Sequence, residues 1–413
     1  MPAEKKTDQK QHSIHALEAT SFFLADVQTG LGPFLAAYLA SAGWNPARVG
    51  FALTLSGMIS VVLQTPAGAL VDSLRAKRAI LAVGIAVLAC GALLLSISTD
   101  TWAVYLAQSL VGAAAPFLAP TLAAITMGLV GQTLFDRQFG NNQSFNSAGN
   151  VACALVIAAV SHFYGNRAIF VIAAVLTIPT AVSVFSIRAN EIDYDLARGG
   201  EQSERKAKGG ESFLHLFKNP TLVLFLVCAF LFHFANAAML PQLGELLSNG
   251  SATGAAPFMS ACIIVTQVII MCSAAFVGRW ANRHGRKTLL LIGFGVLPLR
   301  AVLYTLTHWS VALIGIQVLD GIANAIFGVV AVLVVADLTR GTGRFNLVQG
   351  ALATAIALGA ALSTTFGGKL IQAFSFRVSF LSLGAVALVA FLLLLFAIPE
   401  TLHHDPAHEG ASA

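Results

Sequence analysis

The sequence has few charged residues: Asp, Glu, Lys and Arg make up 10% of its 413 positions. Soluble proteins average about 25% charged residues. Apolar residues make up 57% of the chain, and its mean hydropathy is +0.78. Because so few charges cannot cover a water-facing surface, most of the surface must face lipid. The composition excludes an ordinary soluble enzyme and a disordered chain, and it predicts a polytopic protein of a bacterial inner membrane.

The sequence also lacks the motifs of common enzymes. Its five cysteines lie in apolar runs and form no CxxC pair, so no disulfide framework or zinc site is indicated. A Walker loop, a Rossmann glycine fingerprint and an HExxH motif are all missing. The basic residues cluster in loops and do not form a nucleic-acid face. We expect no catalytic residues, no metal site, no organic cofactor and no nucleic-acid partner.

Apolar runs long enough to cross a bilayer, which takes about 20 residues, occur in two sets of six. The first set fills residues 16–188 and the second fills residues 220–399. Between them, residues 189–219 are rich in Arg, Lys, Glu and Gly and have no apolar period, which indicates a linker. The sequence thus predicts an all-α fold of twelve membrane helices in two bundles, with an N-terminal tail (1–15) and a C-terminal tail (400–413).

The two halves carry matching features at an almost constant offset. Gly68 lies at the end of the second run as Gly278 lies at the end of the eighth, and Gln108 in the fourth run matches Gln317 in the tenth. Arg137 before the fifth run resembles Arg344 before the eleventh. Matched features of this kind predict an internal duplication, which is typical of membrane transporters.

The positions of Lys and Arg predict the topology, because loops on the cytoplasmic side are enriched in them. If the N-terminus is cytoplasmic, all but five of the 24 Lys and Arg residues fall on the cytoplasmic side. The exceptions are Arg48, Arg167, Arg300, Lys369 and Arg377. We therefore expect both termini and the linker to be cytoplasmic.

The loops after the second and eighth runs carry a recognisable signature. The first contains Gly68, Asp72, Lys77 and Arg78, and the second contains Gly278, Arg283, Gly285, Arg286 and Lys287, with Asn282 in place of the acid. Over its twelve predicted helices the chain resembles the major facilitator superfamily, in which this loop reads G-x-x-x-D-R-x-G-R-[RK]. Arg75 departs from that pattern. The resemblance implies two six-helix bundles that rock about a midplane site by alternating access.

The resemblance also implies that these loops form a cytoplasmic gate, in which an acid at a helix end pairs with loop cations across the two bundles. The alternative is that the cations only fix the topology. The predicted gate residues are Gly68, Asp72, Arg75, Lys77, Arg78, Arg137, Gly278, Asn282, Arg283, Gly285, Arg286, Lys287, Asp337 and Arg344. Features of the family's drug antiporters are missing, since Gln108 stands where they carry an Arg and residues 142–165 lack their glycine- and proline-rich pattern.

Charged residues inside the membrane are costly and usually face a cavity or a partner. Asp26 is predicted near the midplane of the first helix, as a carboxylate that accepts protons or binds a cation. The alternative for Asp26 is a permanent hydrogen bond to neighbouring helices. Asp320 and Asn324 share one face of the tenth helix, and Arg300 in the ninth is a candidate ion-pair partner of Asp320, unless it extends to the membrane surface. For Asp320, a substrate or proton site and a structural pair are both open.

Four further polar residues complete the predicted substrate or proton pathway. His233 and Asn236 share one face of the seventh helix, where a histidine can relay protons or contact a substrate. Gln108 and Gln317 occupy matching positions and could bind substrate from both bundles. Each of these residues could instead hold neighbouring helices together.

These observations favour a secondary active transporter of a small solute, coupled to protons, that exports a small organic molecule. One alternative is a proton symporter or uniporter that takes up a nutrient or an organic anion. Another is a membrane sensor or scaffold that keeps the transporter fold but moves no solute. The expected partners are a small-molecule substrate and the lipid bilayer, and we expect a monomer.

Overall fold

The structure is a computed structural model that describes residues 2–31, 33–194, 196–198, 219–248, 255–339 and 345–401. These residues fold as helices, and no strand occurs among them. The helices of the first half are α1 (Pro2–Leu31), α2 (Pro33–Ser41), α3 (Pro46–Ser73), α4 (Lys77–Ile97), α5 (Thr101–Val130), α6 (Gln132–Tyr164) and α7 (Arg167–Ser186). Those of the second half are α8 (Pro220–Asn236), α9 (Met239–Ser248), α10 (Ala255–His284), α11 (Arg286–Leu306), α12 (Ser310–Leu338), α13 (Phe345–Ala373) and α14 (Phe376–Ala397).

Eleven stretches of the described chain are long and apolar enough to cross a membrane. They are α3 to α7, the pair α8 and α9 taken together, and α10 to α14. The predicted first run, residues 16–42, falls mostly in α1 and α2. The all-α membrane fold that the sequence predicts is confirmed.

The helix boundaries differ from the predicted ones at the ends of the chain. Helix α1 begins at Pro2, so the helix includes the residues expected to form an N-terminal tail. Proline is favoured at the first helical position, and no further glycine or proline occurs before Gly30 to interrupt the helix. In the predicted linker, short 3₁₀ turns form at Ala189–Glu191 and Leu196–Arg198. Most of the linker, and residues 402–413 of the C-terminal tail, lie outside the described residues.

The seventh crossing is broken into two helices between Asn236 and Met239. Proline lacks an N–H donor and its ring clashes with the preceding turn, so it ends a helix but is tolerated in the first turn of the next one. Pro241 occupies such a first-turn position. Helix α9, which follows the break, packs against α2 of the first bundle.

Each bundle has its own apolar core, and a third cluster joins the two. The core of the second bundle includes stacked aromatic side chains: the ring centroids of Phe232 and Phe327 lie 4.6 Å apart. The joining cluster brings Phe34 and Ile157 of the first bundle together with Met259 of the second. The two bundles are therefore packed as one body through apolar side chains.

Close contacts between the bundles lie in the half of the molecule opposite the linker, which we call the far half. There the start of α3 crosses the end of α13, and a Cβ at Gly50 would collide with the backbone oxygen of Thr364. Thr54 donates from its hydroxyl to the carbonyl oxygen of Ala361 at 2.5 Å and accepts from the Thr365 hydroxyl at 2.7 Å. Small residues and a hydroxyl pair thus close the far half.

Candidate substrate and proton site

The centre of the second bundle holds a buried ion pair. Arg300 on α11 is 1% exposed and donates from Nη1 to the Oδ1 atom of Asp320 on α12, which is 6% exposed. A charge buried in a membrane protein requires a partner, because an uncompensated one costs several kcal/mol. The structure therefore forms the pair that the sequence suggested as one of two alternatives for Arg300.

Neighbouring side chains complete the hydrogen bonding of this pair. Arg300 also donates to Asn236 Oδ1 at 2.5 Å and, from Nε, to the Tyr304 hydroxyl at 2.9 Å. Asp320 accepts from the Thr266 hydroxyl at 3.3 Å and from Asn324 Nδ2 at 3.0 Å. Four helices of one bundle (α8, α10, α11 and α12) thus converge on a single ion pair.

Gln317 and Gln108, predicted as equivalent residues, have different surroundings. Gln317 donates from Nε2 to the Tyr304 hydroxyl at 2.7 Å, so it belongs to the Arg300 cluster. Gln108 is buried in α5 of the other bundle, and its Nε2 atom has no hydrogen-bond partner among the described residues. The structure therefore brings Gln317 to the site and keeps Gln108 in the first bundle.

A cavity of about 320 Å³ lies beside the ion pair, between the two bundles. Asn236, Arg300 and Asp320 form its polar wall, while Leu53 of α3 and Thr364 of α13 come from the interbundle contact. The ion pair can therefore meet a solute or a proton donor from this cavity while its other side stays packed in the bundle.

His233 lies one helical turn before Asn236 and faces a second cavity of about 320 Å³. Its ring meets the rings of Phe232 and Phe327 edge to face. The Nε2 atom of His233 is buried and has no hydrogen-bond partner among the residues that the structure describes. Asn324, which donates to Asp320, also lines this cavity, so the two cavities lie on either side of the ion pair.

The signature loop of the first bundle makes contacts within that bundle. Lys77 is fully buried and donates to a backbone carbonyl at the end of α3. Arg78 donates to the carbonyl oxygen of Phe185 at the end of α7, at 2.7 Å. Arg75 is exposed between α3 and α4, and Gly68 lies in the last turns of α3 with open space around it. These contacts tie α3, α4 and α7 together.

The matching loop of the second bundle contains an ion pair of its own. Gly285 connects α10 to α11 with φ +92°, a backbone conformation that favours glycine. The next residue, Arg286, donates from Nε to Asp337 Oδ2 at the end of α12, at 3.1 Å. Three further signature residues lie near this connection: Gly278, Arg283 and Lys287.

Some predicted residues fall where the structure gives no side-chain position. The side chains of Asp26, Asp72, Arg137 and Asn282 lie outside the described residues, as does Arg344. The proton-carrying role of Asp26 and the gate roles of the other four therefore stay predictions.

The sequence reasoning missed several polar residues, among them Tyr304 in the site and Glu18 in the first bundle. Tyr304 is the most informative, since it lies one turn after Arg300 on the same helix face and bonds both Arg300 and Gln317. The first bundle has a buried network of its own, in which Gln138 donates to Glu18 and Asn142 at 3.1 Å each. The four-residue spacing between Arg300 and Tyr304 was a signal in the sequence that could have identified Tyr304. The network around Gln138 depends on how the helices pack and has no such signal.

Comparisons with known proteins agree with this architecture. The family model described as Major Facilitator Superfamily matches residues 18–276 and 267–412. An uncharacterized MFS-type transporter of Mycobacterium tuberculosis is 41% identical over 392 residues, which cover 94% of either chain. Multidrug resistance protein 2 of Bacillus subtilis is 28% identical over 165 residues, covering 40% of this chain and 39% of that protein.

Solved structures show the same fold. The crystal structure of the nucleoside transporter NupG aligns with a TM-score of 0.75 over 94% of this chain and 98% of that chain. The two sequences are only 15% identical, so this likeness concerns the fold alone.

Proposed function

The chain belongs to the major facilitator superfamily of membrane transporters, and from this premise we propose that it exports a small organic solute in exchange for protons. A transporter, and not an enzyme, is what the family match establishes. Proton coupling, the direction of transport and the solute are the parts that we add.

The observation that carries the proposal is the buried Arg300–Asp320 pair in the wall of the interbundle cavity. Protonation of Asp320 would leave Arg300 without a counter-charge. Removing one partner from a buried pair costs about 3–5 kcal/mol. Since about 1.4 kcal/mol changes an equilibrium tenfold, this cost is large enough to favour a different arrangement of the helices that meet at the pair.

The contacts in the far half support alternating access. Gly50 and Thr54 hold α3 against α13 there, and these contacts must separate for a path to open on that side. A contact built from small residues and single hydrogen bonds is suited to repeated opening, because each bond contributes only about 0.5–1.5 kcal/mol.

The proposed direction rests on topology and on relatives. The distribution of Lys and Arg favours a cytoplasmic linker, which places the closed far half outside. The partial match to a multidrug resistance protein favours export. The second candidate, proton-coupled uptake of an organic anion, is favoured by one observation: the cationic residue Arg300 is among those that line the interbundle cavity.

The test uses growth protection in bacteria that lack their main efflux pumps. The chain and its Asp320→Asn and Asp26→Asn variants are expressed at matched levels and challenged with dyes, antibiotics and organic acids. Asp100→Asn is the matched control, since Asp100 is exposed at the start of α5. We expect the parent and the control to protect against at least one compound and the Asp320→Asn variant to lose that protection.

Everted membrane vesicles then test coupling with the compound so identified. We expect accumulation that needs an imposed pH gradient and collapses with a protonophore. Protection that survives Asp320→Asn but not Asp26→Asn would assign coupling to Asp26. Accumulation of an organic acid by intact cells would favour the uptake candidate. Transport that is unchanged when the protonophore is added would contradict proton coupling.

A further inference from the structure

The cavity that contains His233, which we call the His233 cavity, lies in the linker half of the second bundle. Helix α8 runs away from the linker, so His233 lies one turn nearer to the linker than Asn236. Helix α12 runs toward the linker half, so Asn324 likewise lies one turn beyond Asp320. The His233 cavity is therefore separate from the interbundle cavity and on the linker side of the ion pair.

Three polar residues line the His233 cavity: His233, Asn324 and Gln349. The buried Nε2 atom of His233 has no partner within the described part of the chain. Asn324 uses Nδ2 to bond the Asp320 backbone at 2.9 Å and its carboxylate at 3.0 Å, which leaves Oδ1 as the acceptor. Gln349 of α13 adds a side-chain amide. A buried polar atom without a hydrogen bond is costly, so a ligand that bonded His233 would recover that cost.

The remaining wall of the cavity is apolar. Phe327 contributes an aromatic ring, and Leu352 and Ile356 contribute branched side chains from α13. The volume of about 320 Å³ is at the small end of ligand pockets, which span about 300–1,000 Å³. An apolar wall with a few hydrogen-bonding groups along one side suits a small ring that carries polar atoms at its edge.

The charges around the cavity are balanced. None of the side chains that line it within the described residues is an Asp, Glu, Lys or Arg. The nearby Arg300 and Asp320 neutralise each other. A ligand with a net charge would find no counter-charge in this wall, and an unpaired charge within a membrane costs about 2.5–3.5 kcal/mol on insertion scales.

We propose that the His233 cavity binds an uncharged heteroaromatic ring of the transported solute, through His233, Asn324 and Gln349. This inference rests on the proposed function and names the chemical class of its substrate. It separates the protein from transporters selective for cationic drugs, because the site recognises the ring without an exposed counter-charge.

The test measures binding of three ring compounds of similar size to the full chain in lipid nanodiscs by calorimetry. The probes are indazole, its carboxylate derivative and its N,N′-dimethyl cation, which are neutral, anionic and cationic. We expect indazole to bind at least tenfold more tightly than either ion. His233→Phe should weaken indazole binding by about tenfold, the effect of one lost hydrogen bond in a buried site. The control is His308→Phe, at an exposed position between α11 and α12, and should bind like the parent.

Gln349→Leu provides an independent variant if His233→Phe fails to fold, as judged by gel filtration, and should also weaken binding. Tighter binding of the cation or the anion, unchanged binding in both cavity variants, or no binding of indazole up to its solubility would each overturn the inference. Growth protection lost in Asp320→Asn would still support the exporter in those cases, so the two proposals fail separately.

Discussion

Replacing Asp320 with Asn should destabilise the protein strongly, because it leaves a buried cation without a counter-charge. The carboxylate receives hydrogen bonds from Arg300, Thr266 and Asn324, and Arg300 is 1% exposed. Removing one partner from a buried ion pair typically costs about 3–5 kcal/mol. Since Arg300 keeps its bonds to Asn236 and Tyr304, we expect a loss near the lower end, about 3 kcal/mol.

Unfolding of the purified chain in mixed micelles, followed by circular dichroism as SDS is added, measures this cost. The double variant Arg300→Met with Asp320→Asn provides the second half of the comparison, since it removes both charges. We expect the double variant to be more stable than Asp320→Asn alone, because the uncompensated charge is gone. Asp100→Asn, at an exposed site, should change the free energy of unfolding by less than about 0.5 kcal/mol.

Two results would refute this reasoning. A cost below about 1 kcal/mol for Asp320→Asn would mean that water or another group compensates Arg300. If the effects of Asp320→Asn and of Arg300→Met, each measured alone, add up strictly in the double variant, the residues do not interact, since contacting residues show interaction energies of about 0.5–3 kcal/mol.

Three further outcomes follow from the contacts between helices. Gly50→Ala should open the far half, because its Cβ would collide with a backbone oxygen of α13, and cysteine labelling from that side should rise. The control Gly315→Ala, at a position with open space in α12, should leave labelling unchanged. Thr54→Val should raise the same labelling, since it removes the hydroxyl that accepts from Thr365 at 2.7 Å. Glu400→Gln should cost about 0.5–2 kcal/mol in SDS titration, because the Glu400 carboxylate accepts two backbone N–H bonds at the start of α11, at 2.8 and 3.0 Å.

The architecture of the fold could be predicted from the sequence, because the features that determine it extend over many residues. Twelve apolar runs, a polar interval and paired loop signatures fix the architecture, and a single substitution changes none of them. The residue at which the first helix begins could not be predicted, because the apolar run that identifies the helix starts only at residue 16, whereas α1 begins at Pro2.

The site could be predicted only where a buried charge requires a partner of opposite charge, because burying it unpaired is too costly. Arg300 cannot be buried alone, so its pairing with a membrane carboxylate could be inferred from the sequence. Tyr304 and Thr266 are neutral, so burying either side chain does not require a charged partner. Their positions beside the ion pair could therefore not be inferred from the sequence. The cavity beside His233 depends on how α8, α12 and α13 cross, and that crossing is decided by ridges of apolar side chains.

The break between α8 and α9 links the ion pair to the interbundle contact. Ending α8 at Asn236 places that side chain on Arg300, and it frees backbone groups that need partners inside the membrane. The N–H of Ala238 donates to the Ser363 hydroxyl of α13 at 3.0 Å. Two residues before Ser363, the carbonyl of Ala361 accepts from Thr54 of the first bundle. A chain of hydrogen bonds and short helix segments therefore connects Asp320 to the far-half contact. In the proposed mechanism, this chain transmits the effect of protonating Asp320 to the helices that must separate.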